Sequence, residues 1–330
     1  MKLTATQIKL LSCMADGKFH SGQQLADEIS VSRTSIWNYL SALEKNLGLA
    51  FHAVKGKGTR LKEPLELLDK KNIQQSLSAE SIRLLNKLLV LDVTESTNRY
   101  LVNPNNNLPK GTVCTAEMQS SGRGRLGREW VSPFAQNIYI SFLWRFNVSL
   151  SSLSGLSLAC GVQVCKALTK MGLTGHSLKW PNDILWQGEK LGGILVELQG
   201  ENQGEYKAVI GIGLNYQMSE RAAQAIDQPW TSLASIMDNK MPSRNELTAE
   251  LINQILPMLE QYSDTGLKPY QSQWNAYDGY RDKKVRIISG QNIKPGIAKG
   301  ITNTGELKLL NEQGEIEKIS SGEVSLRLDS

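Results

Sequence analysis

The sequence predicts a multidomain α+β protein: an N-terminal winged helix-turn-helix, a central mixed, largely antiparallel sheet carrying helices, and a small C-terminal β-barrel. Three observations carry this. At 330 residues the chain is long enough for two or three domains. Its hydrophobic pattern passes from helical spacing to successive strand-like runs, and from about Asp282 to short alternating strands separated by glycine. Its charge is unevenly placed: of 37 Lys and Arg against 32 Asp and Glu, residues 1–62 hold nine basic and four acidic side chains. The whole excess of +5 therefore lies in the first fifth of the chain.

Taken in order, Ile8, Leu10, Leu11 and Met14 mark a first helix that stops near Gly17. Ser21 with Gln24 forms a capping-box start for a second, containing Leu25, Ala26 and Ile29. Ser32 caps a third, whose Ile36, Leu40, Leu43 and Leu47 recur on one face, and Gly48 suits its end. Strands at Phe51–Val54 and Thr59–Leu61 flank Lys55-Gly56-Lys57-Gly58, a basic wing. A linker begins at Glu63-Pro64, and mostly helical patterns follow it. Strands are predicted at 88–93, 112–118, 137–144, 177–180, 184–186, 191–198 and 206–214, and helices at 97–102, 153–171 and 244–262. Strands joined by short connections point to helices on one side of the sheet. The terminal barrel takes strands at 285–288, 296–301, 307–310, 316–320 and 324–328. The boundaries are 1–63, 64–278 and 279–330.

Composition narrows the function. With 40% hydrophobic and 21% charged residues the chain is neither disordered nor collagen-like. Cys13, Cys114, Cys160 and Cys165 lack CxxC spacing and no signal peptide precedes them, so they read as reduced cytosolic thiols. His20, His52 and His176 are too scattered for a His-based triad or metal site. The longest uncharged run, Phe146–Cys165, is rich in serine and is not a membrane span.

In the first unit the recognition helix presents Ser32, Arg33, Thr34, Ser35, Trp37 and Asn38. Arg33 could read guanine, Asn38 could pair with adenine, and the hydroxyls could bind phosphate. Lys55, Lys57 and Arg60 would neutralise the DNA backbone. A winged helix used only for protein contact is the other reading.

The loop Gln119-Ser120-Ser121-Gly122-Arg123-Gly124-Arg125-Leu126-Gly127-Arg128-Glu129-Trp130 contains a literal GxGxxG. A dinucleotide-binding fingerprint must open a helix, whereas this loop runs through Val131-Ser132-Pro133 into a strand. Arginines interleaved with glycine instead make an anion-seeking clamp, or an exposed turn. Lys179-Trp180-Pro181-Asn182-Asp183 adds an amide and a carboxylate beside a strand-breaking proline, and Lys190-Leu191-Gly192-Gly193 opens a strand with a lysine. Glu95-Ser96-Thr97-Asn98 is a helix start that suits a polar ligand.

These segments, GRGRxGRxW, KWPND and KxxGIL(V)E in this order, resemble the biotin–protein ligases, in the long bacterial form that is also a biotin operon repressor. The resemblance spans the whole chain. It implies a core like that of class II aminoacyl-tRNA synthetases and an SH3-like terminal barrel. It implies that Ser96, Thr97 and Asn98 line a biotin pocket, with Gln119 on the ureido ring. Arg123, Gly124 and Arg125, following Gly122, would close over biotin and its adenylate, and Lys190 would bind the biotin carboxylate and the phosphate. Asn182 and Asp183 would lie near the adenylate and the incoming lysine, Trp130 would contribute to the nucleotide site, and Trp230 would cover the adenine. Arg125, Asp183 and Lys190 would be catalytic. Leu126 stands where some relatives carry a further arginine.

The implied activity consumes biotin and ATP, the latter with Mg2+, as substrates. Biotinyl-5′-AMP would be both intermediate and corepressor, and biotin would pass to one lysine of a biotin carboxyl carrier protein, the acetyl-CoA carboxylase subunit. Further expectations are operator DNA as partner, homodimerisation on adenylate binding, and a cytoplasmic, non-membrane location. Two alternatives are a lipoate-type ligase and a ligand-sensing transcription factor without catalysis.

Overall fold

The computed structural model describes residues 3–200, 205–237, 241–322 and 324–329. Helices α1 (Ala5–Met14), α2 (Gly22–Ile29) and α3 (Arg33–Leu47) precede a hairpin of β1 (Phe51–Val54) and β2 (Gly58–Leu61). Their starts follow from local chemistry. Ser21 Oγ accepts the Gln24 N–H at 3.1 Å while Gln24 returns a bond to Ser21, and Ser32 Oγ accepts the Ser35 N–H at 3.1 Å. Gly48 ends α3 at φ 69°, a conformation that costs glycine nothing. Leu10, Leu11, Met14, Leu25, Ile36, Leu40 and Leu43 form its buried centre, and Phe134 and Ala135 of the central unit join the same cluster.

The linker is held, not loose. The Leu68 N–H donates to Glu117 Oε1, Asp69 N–H to Asn245 Oδ1 at 2.7 Å, and Asn245 Nδ2 to Glu66 Oε1 at 2.8 Å. Buried Arg244 pairs with Glu117 at 2.8 Å and also donates to the carbonyls of Glu66 and Asn137. Short helices α4 (Lys70–Gln75) and α5 (Ala79–Leu84) then lead into the central sheet.

That sheet comprises β3 (Lys87–Thr94), β4 (Thr112–Gln119), β5 (Asn137–Phe146), β6 (His176–Lys179), β7 (Asp183–Trp186), β8 (Glu189–Gly200) and β9 (Tyr206–Asn215), in the order β3-β4-β5-β9-β8-β7-β6. Only β3 and β4 run parallel, and α6 (Thr97–Val102) connects them. Every residue of β5 but Arg145 is buried, as a strand covered on both faces must be.

One face carries Ile138, Ile140, Phe142, Ile210 and Ile212 against α7 (Leu156–Lys170) and α10 (Arg244–Thr265). Between those two lie α8 (Glu220–Ala223) and α9 (Leu233–Met237), and α11 (Lys268–Tyr277) follows α10. The apolar positions of α7 run all round it, because the sheet, α10 and α11 enclose it. The opposite face carries Tyr139, Ser141, Leu143, Gly211 and Gly213, and α6 covers only part of it, around Leu101, Cys114, Leu143 and Val209.

The helices therefore occupy both faces, unlike the one-sided arrangement expected from the sequence, because α6 serves the parallel β3–β4 crossover. The helix expected from Leu153 begins at Leu156 after a 3₁₀ turn, α10 runs three residues beyond the expected Tyr262, and α11 had no counterpart in the sequence reading. The terminal unit has β10 (Lys284–Ser289), β11 (Asn292–Ile301), β12 (Leu307–Leu310), β13 (Ile316–Ile319) and β14 (Ser325–Leu328), ordered β13-β12-β11-β10-β14. It is a five-stranded antiparallel sheet. No ladder joins β13 to β14 among the described residues.

Candidate active site and nucleic-acid face

The sheet face left free of α7 and α10 forms the floor of a cavity of about 650 Å³, a size that suits a small-molecule or cofactor site. Small residues make the room. A Cβ on Gly211 would lie 2.4 Å from Asn98 Oδ1, and one on Gly213 would lie 2.6 Å from the Trp130 indole. Only glycine lets those side chains lie on the strands.

At one end, a hydrogen-bonded chain fixes the start of α6. Gln119 Oε1 accepts from the Thr97 N–H at 2.9 Å and its hydroxyl at 3.1 Å, while Gln119 Nε2 donates to Ser132 Oγ at 3.0 Å. Ser141 Oγ lies 2.7 Å from Thr97 Oγ1 and 2.6 Å from Asn98 Oδ1. Asn98 Nδ2 donates to Glu197 Oε2 at 2.8 Å, and Glu197 Oε1 accepts from Arg123 at 2.8 Å. Ser96 is the N-cap of α6 by position, with no capping bond from its side chain.

The glycine-arginine loop closes one wall. It does not open an α-helix; Arg125–Gly127 is a single 3₁₀ turn with Leu126 at φ 57°. The Gly124 N–H donates to Arg128 O at 2.7 Å and the Trp130 N–H to Gly122 O at 3.0 Å, which folds the loop on itself. Arg125 donates to the carbonyls of Ser321 and Gly322, and Arg128 to Ser325 Oγ at 3.2 Å. The terminal sheet thus forms part of the same wall, with Ser325, Leu326 and Arg327 lining the cavity. Arg123 Nε and Trp130 Nε1 are buried donors without a protein partner among the described residues.

At the other end Asp183 sits between two ammonium groups, Lys179 Nζ 3.1 Å from Oδ2 and Lys190 Nζ 2.7 Å from Oδ1. Burial acts to raise the Asp183 carboxyl, but Lys190 and Lys179 outweigh it and hold the group below its ordinary value. Burial pulls the Lys179 ammonium down, against the attraction of Asp183, and it pulls Arg125 down likewise. Asn182 Nδ2 donates to Ile194 O at 2.9 Å, which ties the turn to β8. The backbone of Lys190 bridges to the segment around Trp230: its N–H donates to Pro229 O at 3.0 Å, and its carbonyl accepts from Thr231 N–H at 3.0 Å.

Of the residues singled out in the sequence, Ser96, Thr97, Asn98, Gln119, Arg123, Gly124, Arg125, Trp130, Asn182, Asp183 and Lys190 line this one cavity. Gly122 and Trp230 do not. Gly122 lies behind the wall, where a Cβ would strike the Trp130 carbonyl at 2.4 Å. Trp230 is outside the lining, while its neighbours Asp227, Gln228 and Pro229 are in it. Sequence reasoning missed Lys179, Glu197, Ser141 and Arg327 as site residues. The first two stood inside quoted motifs and carried a charge to explain. Ser141 and Arg327 had no local signal.

On the first unit, Ser32, Arg33, Thr34, Trp37, Asn38, Lys55 and Lys57 are exposed, on the N-terminal half of α3 and at the wing tip. Arg60 is half-buried, its guanidinium 5.2 Å from the centre of the Phe19 ring, so it is less free than the wing lysines.

Three family descriptions match successive parts of the chain: HTH domain at residues 6–60, the biotin/lipoate A/B protein ligase family at 90–215, and the biotin protein ligase C terminal domain at 282–327. The chain is 38% identical over 327 residues to the bifunctional ligase/repressor BirA of Salmonella typhimurium, covering 99% of both chains. It is 32% identical to the protein of the same name from Bacillus spizizenii, covering 97% of both. The biotin protein ligase of Aquifex aeolicus in complex with biotin and ATP superposes with a TM-score of 0.63 at 30% identity, covering 74% of this chain and 100% of that one. With fold, motif order and full-length identity in agreement, the chain belongs to the biotin protein ligases, in their bifunctional ligase/repressor branch.

Proposed function

We propose that this protein activates biotin with ATP to biotinyl-5′-AMP, transfers biotin to a lysine of a biotin carboxyl carrier protein, and represses transcription with the adenylate as corepressor. The observation that carries the reading is the convergence of Gln119, Arg123, Arg125, Asp183 and Lys190 on one cavity with small residues on its floor.

Thr97, Asn98 and Gln119 offer a pre-bonded polar end for the ureido ring. Lys190 and Arg123 take up the carboxylate and then the phosphate, and Arg125 retains the mixed anhydride. The biotin carboxylate attacks the α-phosphate of ATP and expels pyrophosphate; the carrier amine then attacks the anhydride carbonyl and expels AMP. No enzyme nucleophile is needed, so positioning and charge neutralisation supply the rate. Asp183, held ionised by two lysines, is a weak proton acceptor, which favours orientation of the incoming amine over general base catalysis. Mg2+ arrives with ATP.

Residues 1–63 serve as the DNA-reading unit, 64–278 as the ligase and 279–330 as a wall of the site. Operator DNA meets Arg33, Thr34, Asn38, Lys55 and Lys57. Strand β8 pairs with β7 only as far as Gly193, so its later residues offer an open edge for homodimerisation on adenylate binding, or for the carrier in its place. The setting is cytoplasmic, in keeping with the absence among the described residues of any helix long and apolar enough to cross a membrane.

The test is ATP–pyrophosphate exchange with biotin or lipoate. Exchange with biotin alone is expected. Exchange with lipoate would move the substrate, and exchange with neither would leave a ligand sensor. Adenylate should also raise both the sedimentation coefficient and operator affinity.

A further inference from the structure

The pairing of Asp183 raises a question that the ligase reading does not answer. Lys190 cannot hold Asp183 at 2.7 Å and also give its full charge to an incoming anion. If it simply left, a carboxylate whose side chain is only 12% exposed would lose its ion pair, a costly state in a low-dielectric site. Lys179 removes that difficulty. It stands directly across the β6–β7 ladder from Asp183, bonds the second carboxylate oxygen, and is less exposed than Lys190, at 9% against 17%.

We propose that Lys179 is a positioning residue: it is the standing counterion of Asp183, and its presence lets Lys190 leave that carboxylate for the carboxylate or phosphate of the ligand. The inference rests on the cavity being the site of biotin activation. The division of labour follows from placement. Lys179 ends β6 with its ammonium 5.8 Å from the centre of the Tyr280 ring, whereas Lys190 opens β8 with its ammonium 5.5 Å from the Trp130 ring in the cavity wall. The other charged groups nearby are Arg125, which is drawn to Asp183, and Arg327, whose charge repels the Lys179 ammonium. Without Lys179, Asp183 retains Lys190 and competes with the ligand for it.

The test is calorimetric binding of biotin, and of its alcohol in which CH2OH replaces the carboxylate, to the full-length protein and to Lys179→Met and Lys179→Arg. Lys179→Met is expected to weaken biotin by roughly tenfold while changing the alcohol less than about twofold, and Lys179→Arg to restore most of the loss. A pH series adds a sign. In Lys179→Met the Asp183 carboxyl loses one of the two cations that hold it down and titrates higher than in the unaltered protein, so lowering the pH protonates it sooner and frees Lys190. Biotin affinity in that variant should therefore rise as pH falls, a rise that the unaltered protein does not share. The double variant Lys179→Met/Asp183→Asn, which removes the competitor, should bind biotin better than Lys179→Met alone. Equal losses for biotin and the alcohol, unchanged biotin affinity in Lys179→Met, or no recovery in the double variant would each overturn the proposal. Failure of the unaltered protein to bind biotin would overturn the underlying reading, and no other outcome resembles it.

Discussion

The winged helix and the cavity are both basic, and they hold their charge in opposite ways. Arg33, Lys55 and Lys57 are exposed and make no ion pair among the described residues. In the cavity Lys179 and Lys190 share Asp183, Arg123 is on Glu197, and Arg125 is spent on two backbone carbonyls of the terminal unit. Free surface cations suit a polyanion recognised by many weak contacts, each open to competition from salt. Paired cations in a cleft suit one small anion that must displace an internal partner. The net charge of +5 describes only the first region, since residues 63–330 hold 28 basic and 28 acidic side chains and the cavity's cations are balanced elsewhere in that part of the chain.

The strongest challenge to this contrast lies where the two regions join. Arg244 is 1% exposed, pairs with Glu117 and holds the linker carbonyl of Glu66. Arg244→Leu leaves Glu117 buried and without its cation, so a loss of about 3–5 kcal/mol of stability is expected, read as a lower midpoint in urea. If the winged helix were instead only tethered, operator binding would survive this change in proportion to ligase activity.

Next in size is Lys190→Ala. It removes the cavity cation that is free to turn from its partner to an anion, and biotin-dependent pyrophosphate exchange should fall by about 10²–10³ in kcat/KM. A loss below tenfold would assign the anion to Arg123 and Arg125 instead.

How far these two regions were legible in the sequence follows from how each is built. The winged helix could be read almost residue by residue, because Ser21, Gln24, Ser32 and Gly48 act within one turn of their own positions. The cavity was legible only through its motifs. Gln119, Arg123 and Lys190 stand in conspicuous strings, but Ser141 is one more residue in an apolar strand until α6 lies across it, and Arg327 reaches the cavity only because the terminal sheet docks on Arg125 and Arg128. The second face of the sheet was misjudged for a related reason. A parallel pair and an antiparallel pair look alike in sequence, and only the β3–β4 register puts α6 opposite α7. Trp230 was placed by motif over the nucleotide, whereas the backbone bridge to Lys190 brings Asp227 to Pro229 to the cavity.

A smaller effect concerns a carboxylate that lacks any cation of the kind Asp183 has. Asp278 accepts the Tyr280 N–H at 3.0 Å through one oxygen, while the other is buried without a partner among the described residues. Burial raises its carboxyl from 3.8 to about 6. A raised acid in the folded state means that the native protein binds the extra proton between those two values, so this group costs stability as pH rises from about 4 through 6. Asp278→Asn should therefore gain about 1–2 kcal/mol at pH 8 relative to the unaltered protein, and nothing near pH 4. A gain independent of pH would mean that the amide simply packs better.

The smallest change tests the exposed side of the contrast. Lys57 lies at the wing tip, its side chain free of partners among the described residues, so Lys57→Ala should leave the folded state alone and remove one phosphate contact. Its signature is a shift in salt dependence. The slope of log affinity against log salt should become shallower by about 0.9, and affinity should fall by a similar factor for operator and for unrelated DNA. Asn38→Ala provides the contrast within the same unit, because a base-reading side chain should weaken operator binding by about 1–3 kcal/mol per contact while leaving the salt slope in place. If Lys57→Ala changed operator affinity alone, the wing would be reading sequence. The exposed cations would then be as specific in their partner as the paired ones are in the cavity.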